Sequence, residues 1–241
     1  MKFARVFWVS VLGALLGGQL SVAASEITPA GQQVAKVLDS MHVEQLWLAG
    51  RQVDWRTGEP NGKVYTNATL HTHCSAFAAA AAEKLGVYLL HPPAHSAVLL
   101  ANAQQTWLCA SGTNEGWQAV KTPVQAQELA NEGQLVVVTC KNPDPKRPGH
   151  IAIVRPSTKS DAAILAEGPE IIQAGQHNHA DTTTKDGFKN HPGAFAGSQL
   201  MYFSHAITIS KVTQREIMTD IADQPVSLPP TTAALGSAKS N

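Results

Sequence analysis

The sequence predicts an α+β fold, with helix-patterned segments first and an antiparallel sheet after them. Three observations carry that expectation. Val34, Val37, Leu38, Met41, Leu46 and Trp47 recur at helical spacing. The run from Cys74 to Leu85 consists almost wholly of strong helix formers, with five consecutive alanines at 78–82. After Gly133 the texture changes to β-branched runs such as Leu135-Val136-Val137-Val138-Thr139, separated by turn residues.

The first residues predict a secretory signal over 1–24. Lys2 and Arg5 precede an apolar run from Val6 to Leu16, and small residues with a cleavage site at Ala23 or Ala24 follow. That run of roughly eleven residues is shorter than the ~20 that a spanning helix needs. The expectation is an exported protein, periplasmic or secreted, with no stable membrane insertion once the signal is cleaved. Residues 25–223 are expected to form one domain, with an N-terminal helix over about 31–49 and a core over about 65–210. The Pro-, Ala-, Ser- and Thr-rich tail 224–241 is expected to be disordered.

The apolar fraction of 44% is enough for a core. Lys+Arg and Asp+Glu balance at 18 each, so the chain carries no basic footprint for nucleic acid.

Within the domain, the first helix should end at Gly50. Residues 51–69, rich in Gly, Pro, Asn and Thr, predict a loop anchored by Trp55 and Tyr65. The alanine-rich helix should start at Thr72 to Cys74 and stop at Gly86. Further helices are expected over Ser96–Cys109 and over Thr122–Ala130, the latter capped by Thr122 with Pro123 at its first position. Strands are expected at Leu135–Thr139, His150–Arg155, Pro169–Ala174 and Leu200–Ser210.

Cys74 is the residue around which the chemistry gathers. A helix N-terminus carries unsatisfied N–H groups and a partial positive charge, so this position predicts a lowered thiol pKa and a nucleophilic thiolate. A cysteine nucleophile needs an imidazole to take its proton and a third group to hold that ring. His150, which follows Pro148-Gly149 at a strand entry, is placed to be the base. Gln173, polar among Ile171, Ile172 and Ala174, is placed to orient it, with Gln176 and Asn178 as rivals for that role.

Three cysteines in an oxidising compartment suggest one disulfide and one free thiol, with Cys109–Cys140 as the preferred pair. The alternative is that both are buried free thiols. His71 and His73, with His177 and His179 later, are borderline metal ligands, but their spacing fits no standard zinc pattern. No metal and no cofactor is expected.

The order of these motifs resembles papain-like cysteine hydrolases, and within them the bacterial NlpC-type cell-wall peptidases and their CHAP amidase relatives. The segments that carry the resemblance are His73-Cys74-Ser75-Ala76, Gly133-Gln134-Leu135-Val136, Gly149-His150-Ile151-Ala152-Ile153 and Ile172-Gln173-Ala174. They span about Ala68 to Gly175, half of the chain. The resemblance implies a Cys74–His150–Gln173 triad acting through an acyl-enzyme on an amide bond, with a peptide substrate in the peptidoglycan stem.

This chain departs from the family in having His before the cysteine, Ala two residues after it, and Gln where the third position is His. The family's Tyr upstream of the cysteine has no clean equivalent. Tyr65 and Asn67 are candidates to assist the oxyanion hole beside the Cys74 N–H. Two readings stand against this one: a silent or metal-binding periplasmic module that uses the His-rich loops, and an amidase or peptidase effector with a substrate outside the cell wall.

Overall fold

The computed structural model describes residues 26–67, 71–191 and 193–208. The expected signal, residues 1–24, and the expected tail, 224–241, lie outside them. The order of elements is helical first and mostly strand afterwards, as the α+β pattern predicts, and every described strand pairing is antiparallel.

Helix α1 (Pro29–Asp39) starts where Thr28 accepts a hydrogen bond from the Gly31 N–H, with Pro29 at its first position. The helix expected over 31–49 therefore ends about ten residues early. Met41, Val43 and Trp47 keep the apolar spacing and are buried, but they sit in turns, and His42 and Trp47 take positive φ. A pattern of burial does not distinguish a helix from a turn that tucks the same side chains inward. Residues 51–69 were expected to be a loop, yet Arg51–Val53 (β1) and Pro60–Val64 (β2) pair as a small exposed hairpin.

Helix α2 (Cys74–Lys84) begins at the cysteine, as its composition predicts. The next helix, α3 (Leu100–Ala110), starts four residues later than expected, after Leu99 in the left-handed region. A short strand, β3 (Gln118–Val120), precedes α4 (Pro123–Asn131), which has the predicted Thr122 cap. Then come β4 (Leu135–Cys140), β5 (His150–Val154), α5 (Asp161–Glu167), β6 (Glu170–Gln173), β7 (His179–Thr183), α6 (Thr184–Gly187) and β8 (Met201–His205). The main sheet has the order β3-β8-β4-β5-β6-β7.

Strand alternation divides the core into two. Leu135, Val137, Ile151, Ile153, Ile172 and Phe203 look to one face, where they meet α1, α2 and Leu108 of α3. Val136, Val138, Cys140, Ala152, Val154 and Ile171 look to the other, where Ala126 and Ala130 of α4 and the ring of Phe188 cover them. Ala78 to Ala82 of α2 are almost fully buried, and small side chains let this helix lie close on β5. Burying side chains such as Ile151 and Ile153 stabilises the packing by about 1.5–3 kcal/mol each.

The two faces explain why the expected Cys109–Cys140 disulfide does not form. Cys140 points to the α4 face, whereas Cys109 is exposed on α3, which packs on the opposite face, and its Sγ lies 3.9 Å from Met201 Sδ. All three cysteines are free thiols.

Candidate active site

The candidate base and the group expected to orient it are delivered by neighbouring strands. The turn-rich segment before β5 is pinned to α3 by Asn102, whose amide donates to the Arg147 carbonyl (2.8 Å) and accepts from the Asn142 N–H (3.0 Å). Gly149 fits against this peg because a Cβ there would come within 2.3 Å of the Cys140 carbonyl oxygen and 2.5 Å of Asn102 Oδ1. The chain then enters β5 at His150.

His150 is buried, and its Nε2 lies 2.7 Å from Gln173 Oε1 on β6. Amide oxygen accepts, so Nε2 carries the proton and Nδ1 holds the free lone pair. Gln173 is held in turn by its own Nε2–H donating to the His177 carbonyl, and by the closeness of Gly187, where a Cβ would stand 2.7 Å from Oε1. Of the three rivals for the orienting role, the geometry selects Gln173. Asn178 is a structural peg that donates to the carbonyls of Val43, Leu46 and Trp47, while Gln176 accepts from Asn190 on the surface.

Two rings enclose the imidazole. Phe188 meets it edge-on at 4.7 Å, and His191 stacks on it at 5.3 Å with the planes 11° apart. Neither Phe188 nor His191 was singled out from the sequence. They follow α6, a four-residue helix without a sequence signature. Burial holds the His150 pKa below the ordinary imidazole value, and the hydrogen bond to Gln173 opposes that shift without reversing it.

Cys74 opens α2 on the other face of the sheet. Gln104 of α3, fully buried, donates to the carbonyls of Ser75 and Leu90 and so ties the first turn of α2 in place. Burial pushes the Cys74 thiol up from its ordinary value. The backbone N–H groups of Ile151, Ser75 and Cys74 favour the thiolate but do not reverse the sign. The lowered thiol pKa expected at a helix N-terminus is therefore not what this environment produces.

The interaction with the Ile151 N–H sets the thiol against the residue next to His150, just before β5 begins to pair with β6 at Ile153. The thiol and the imidazole thus approach one end of β5 from its two faces. No hydrogen bond joins them among the described residues.

The oxyanion candidates sit elsewhere. The Tyr65 ring stacks on His71 at 3.6 Å, and Asn67 is exposed. Neither lines the cavity of about 440 Å³ beside His150. That cavity is walled by imidazoles, amides and glycines, with Arg147, Asp186 and Lys189 at the rim and Pro148 as its one apolar side chain among the described residues. His73 Nε2 lies 2.7 Å from the Arg51 carbonyl on the exposed hairpin. Among the described residues, no group of three or more His, Cys, Asp or Glu side chains is placed to hold a metal ion. No described helix is long and apolar enough to cross a membrane.

No family model matches the chain, and no curated protein matches it in sequence. A buried imidazole with a fixed tautomer and a polar cavity are the means the site offers for chemistry, with the Cys74 thiol buried on the other face of the sheet and outside the cavity lining.

Proposed function

We propose that the chain is a papain-like cysteine hydrolase that cleaves an amide bond. The observation that carries this reading is the 2.7 Å contact between His150 Nε2 and Gln173 Oε1, with the Cys74 thiol against the next residue of the same strand. Gln173 holds the proton on Nε2, so Nδ1 is the atom free to accept one.

At neutral pH both partners rest uncharged, because burial raises the thiol and lowers the imidazole. His150 then acts as a general base during attack rather than as half of a standing ion pair. The Cys74 sulfur bonds to the substrate carbonyl carbon as its proton passes to Nδ1. The backbone N–H of Cys74 is the donor proposed for the oxyanion that forms. Collapse of this intermediate breaks the C–N bond, and the imidazolium returns the proton to the leaving amine. Water, deprotonated by the same imidazole, then hydrolyses the thioester and regenerates the thiol.

The substrate proposed is an amide in the stem peptide of peptidoglycan. Support comes from the ordered motifs, the signal-like first residues and a cavity polar enough for a peptide. A silent binding module is the second reading, favoured by the lack of a hydrogen bond between Cys74 and His150.

Digestion of purified cell wall, read by mass spectrometry of the released fragments, separates the two. Hydrolysis that appears with the wild type and disappears in Cys74→Ala and His150→Ala supports the enzyme. If the wild type opens no amide bond, the enzyme reading fails.

A further inference from the structure

The mechanism above leaves one close contact of the base unused, the stack of His191 on His150. We propose that His191 is a positioning residue, whose ring clamps the His150 imidazole in the plane that Gln173 requires and shields its face from water. This rests on the reading of His150 as the base.

Three contacts from three directions define the ring's place. Gln173 Oε1 holds Nε2 at 2.7 Å, Phe188 closes on it edge-to-face at 4.7 Å, and His191 lies flat on it at 5.3 Å. Remove the flat ring and one face of the imidazole opens to the cavity that His191 also lines. The ring could then turn about its Cβ–Cγ bond and lose the Gln173 contact.

The clamp is itself kept uncharged. Burial, and then the charge that His150 would carry, hold the His191 pKa down to about 4. His191 therefore remains a neutral cover through the mildly acidic range. Other titratable groups approach from every side. Cys140 stands opposite His150 on β4, Cys74 lies at the start of α2 on the other face of the sheet, and Arg147 comes from the loop before β5. His177 and His179 line the cavity from β7 and the turn before it, with Asp186 of α6 and Lys189 just after it. Of the described rings, His191 is the one stacked on His150.

The test titrates His150 by two-bond proton–nitrogen NMR in the wild type, His191→Ala and His191→Phe. Steady-state hydrolysis of cell-wall peptide is measured beside it. In His191→Ala the His150 midpoint should rise toward the ordinary imidazole value as water reaches the ring. Its Nε2–H tautomer signal should average, and kcat should fall about tenfold at unchanged KM, part of what a general base supplies. His191→Phe restores a flat cover and should return both the midpoint and most of kcat.

A folded His191→Ala protein with the wild-type His150 midpoint and tautomer overturns the proposal. So does a Phe variant as impaired as the Ala variant in both readouts, since that would assign His191 a hydrogen bond rather than a clamp. If the Ala variant fails to fold, His191→Gln, non-aromatic and polar, takes its place with the same expectations. If the wild type hydrolyses nothing, the hydrolase reading falls while the titration still decides whether His191 clamps His150.

Discussion

Gln173→Ala is the substitution that most directly probes the orienting bond. It removes the partner of a buried imidazole nitrogen, and both side chains are only 5% exposed. A buried N–H left unpaired costs about 1–3 kcal/mol. Gln173 also lines the cavity of about 440 Å³, so water can enter the space vacated by the amide and recover part of that bond. The expected cost to stability is therefore near the lower end, about 1 kcal/mol, or about 2–4 °C in Tm for a domain of this size.

Water cannot fix the tautomer or the ring plane as the amide does. General-base catalysis supplies about 10²–10⁴ in rate, and a base free to turn and exchange tautomers should forfeit at least about tenfold of that. Calorimetry and kcat on purified peptidoglycan fragments measure the two effects side by side. A variant that loses the expected stability but keeps the wild-type kcat would make Gln173 a structural strand residue, and the orienting role would be refuted.

Two other outcomes follow from the same groups. His150 and His191 have pKa values lowered from 6.5, so between that value and the folded pKa values the unfolded chain binds more protons than the folded one. Their contribution to stability is complete above pH 6.5 and should be lost as pH falls, with the His191 part gone near pH 4. The raised Cys74 pKa works at the other end, and stability should decline as pH rises past 9.0. Urea unfolding from pH 4 to 10 checks both limbs, and a flat profile between pH 4 and 6.5 would contradict the buried neutral imidazoles. With all three thiols free, a thiol reductant should leave Tm unchanged. A fall of several degrees on reduction would mean that Cys109 and Cys140 do bond.

The parts legible in the sequence were those whose pattern is set locally. The alanine run fixes α2, Thr122-Pro123 fixes the start of α4, and the β-branched run fixes β4. The places of the candidate site residues were legible too, since Cys74 opens α2, His150 opens β5 and Gln173 closes β6. The hairpin was not, since all five residues of β2 are exposed and no alternation marks them. Helix α5 shows one fully buried residue, Ile164, too little for a periodic signal. The disulfide expectation failed for a non-local reason. Cysteine spacing carries no information on which face of a sheet each thiol occupies, and here the faces differ.

The protonation state of Cys74 was beyond the sequence for a similar reason, and it matters more. A helix N-terminus favours a charged group by about 0.3–1 kcal/mol at an exposed site and up to about 2 in partly buried geometry. Removing a charged group from water costs several kcal/mol even after the protein relaxes. Cys74 has the helix start that its position promised, and two further N–H groups besides, yet it is 5% exposed and burial decides the sign. The depth of a helix start in the core depends on what packs over it, here Gln104 from α3 and Ile151 from β5. A thiol held neutral in this way is protected from stray oxidants and alkylating agents while no substrate is present. On the proposed hydrolase reading it would become a nucleophile only when a carbonyl carbon is close enough to accept the sulfur as the imidazole takes the proton. Reactivity would then be controlled by the arrival of substrate, and a site with a standing thiolate lacks that control.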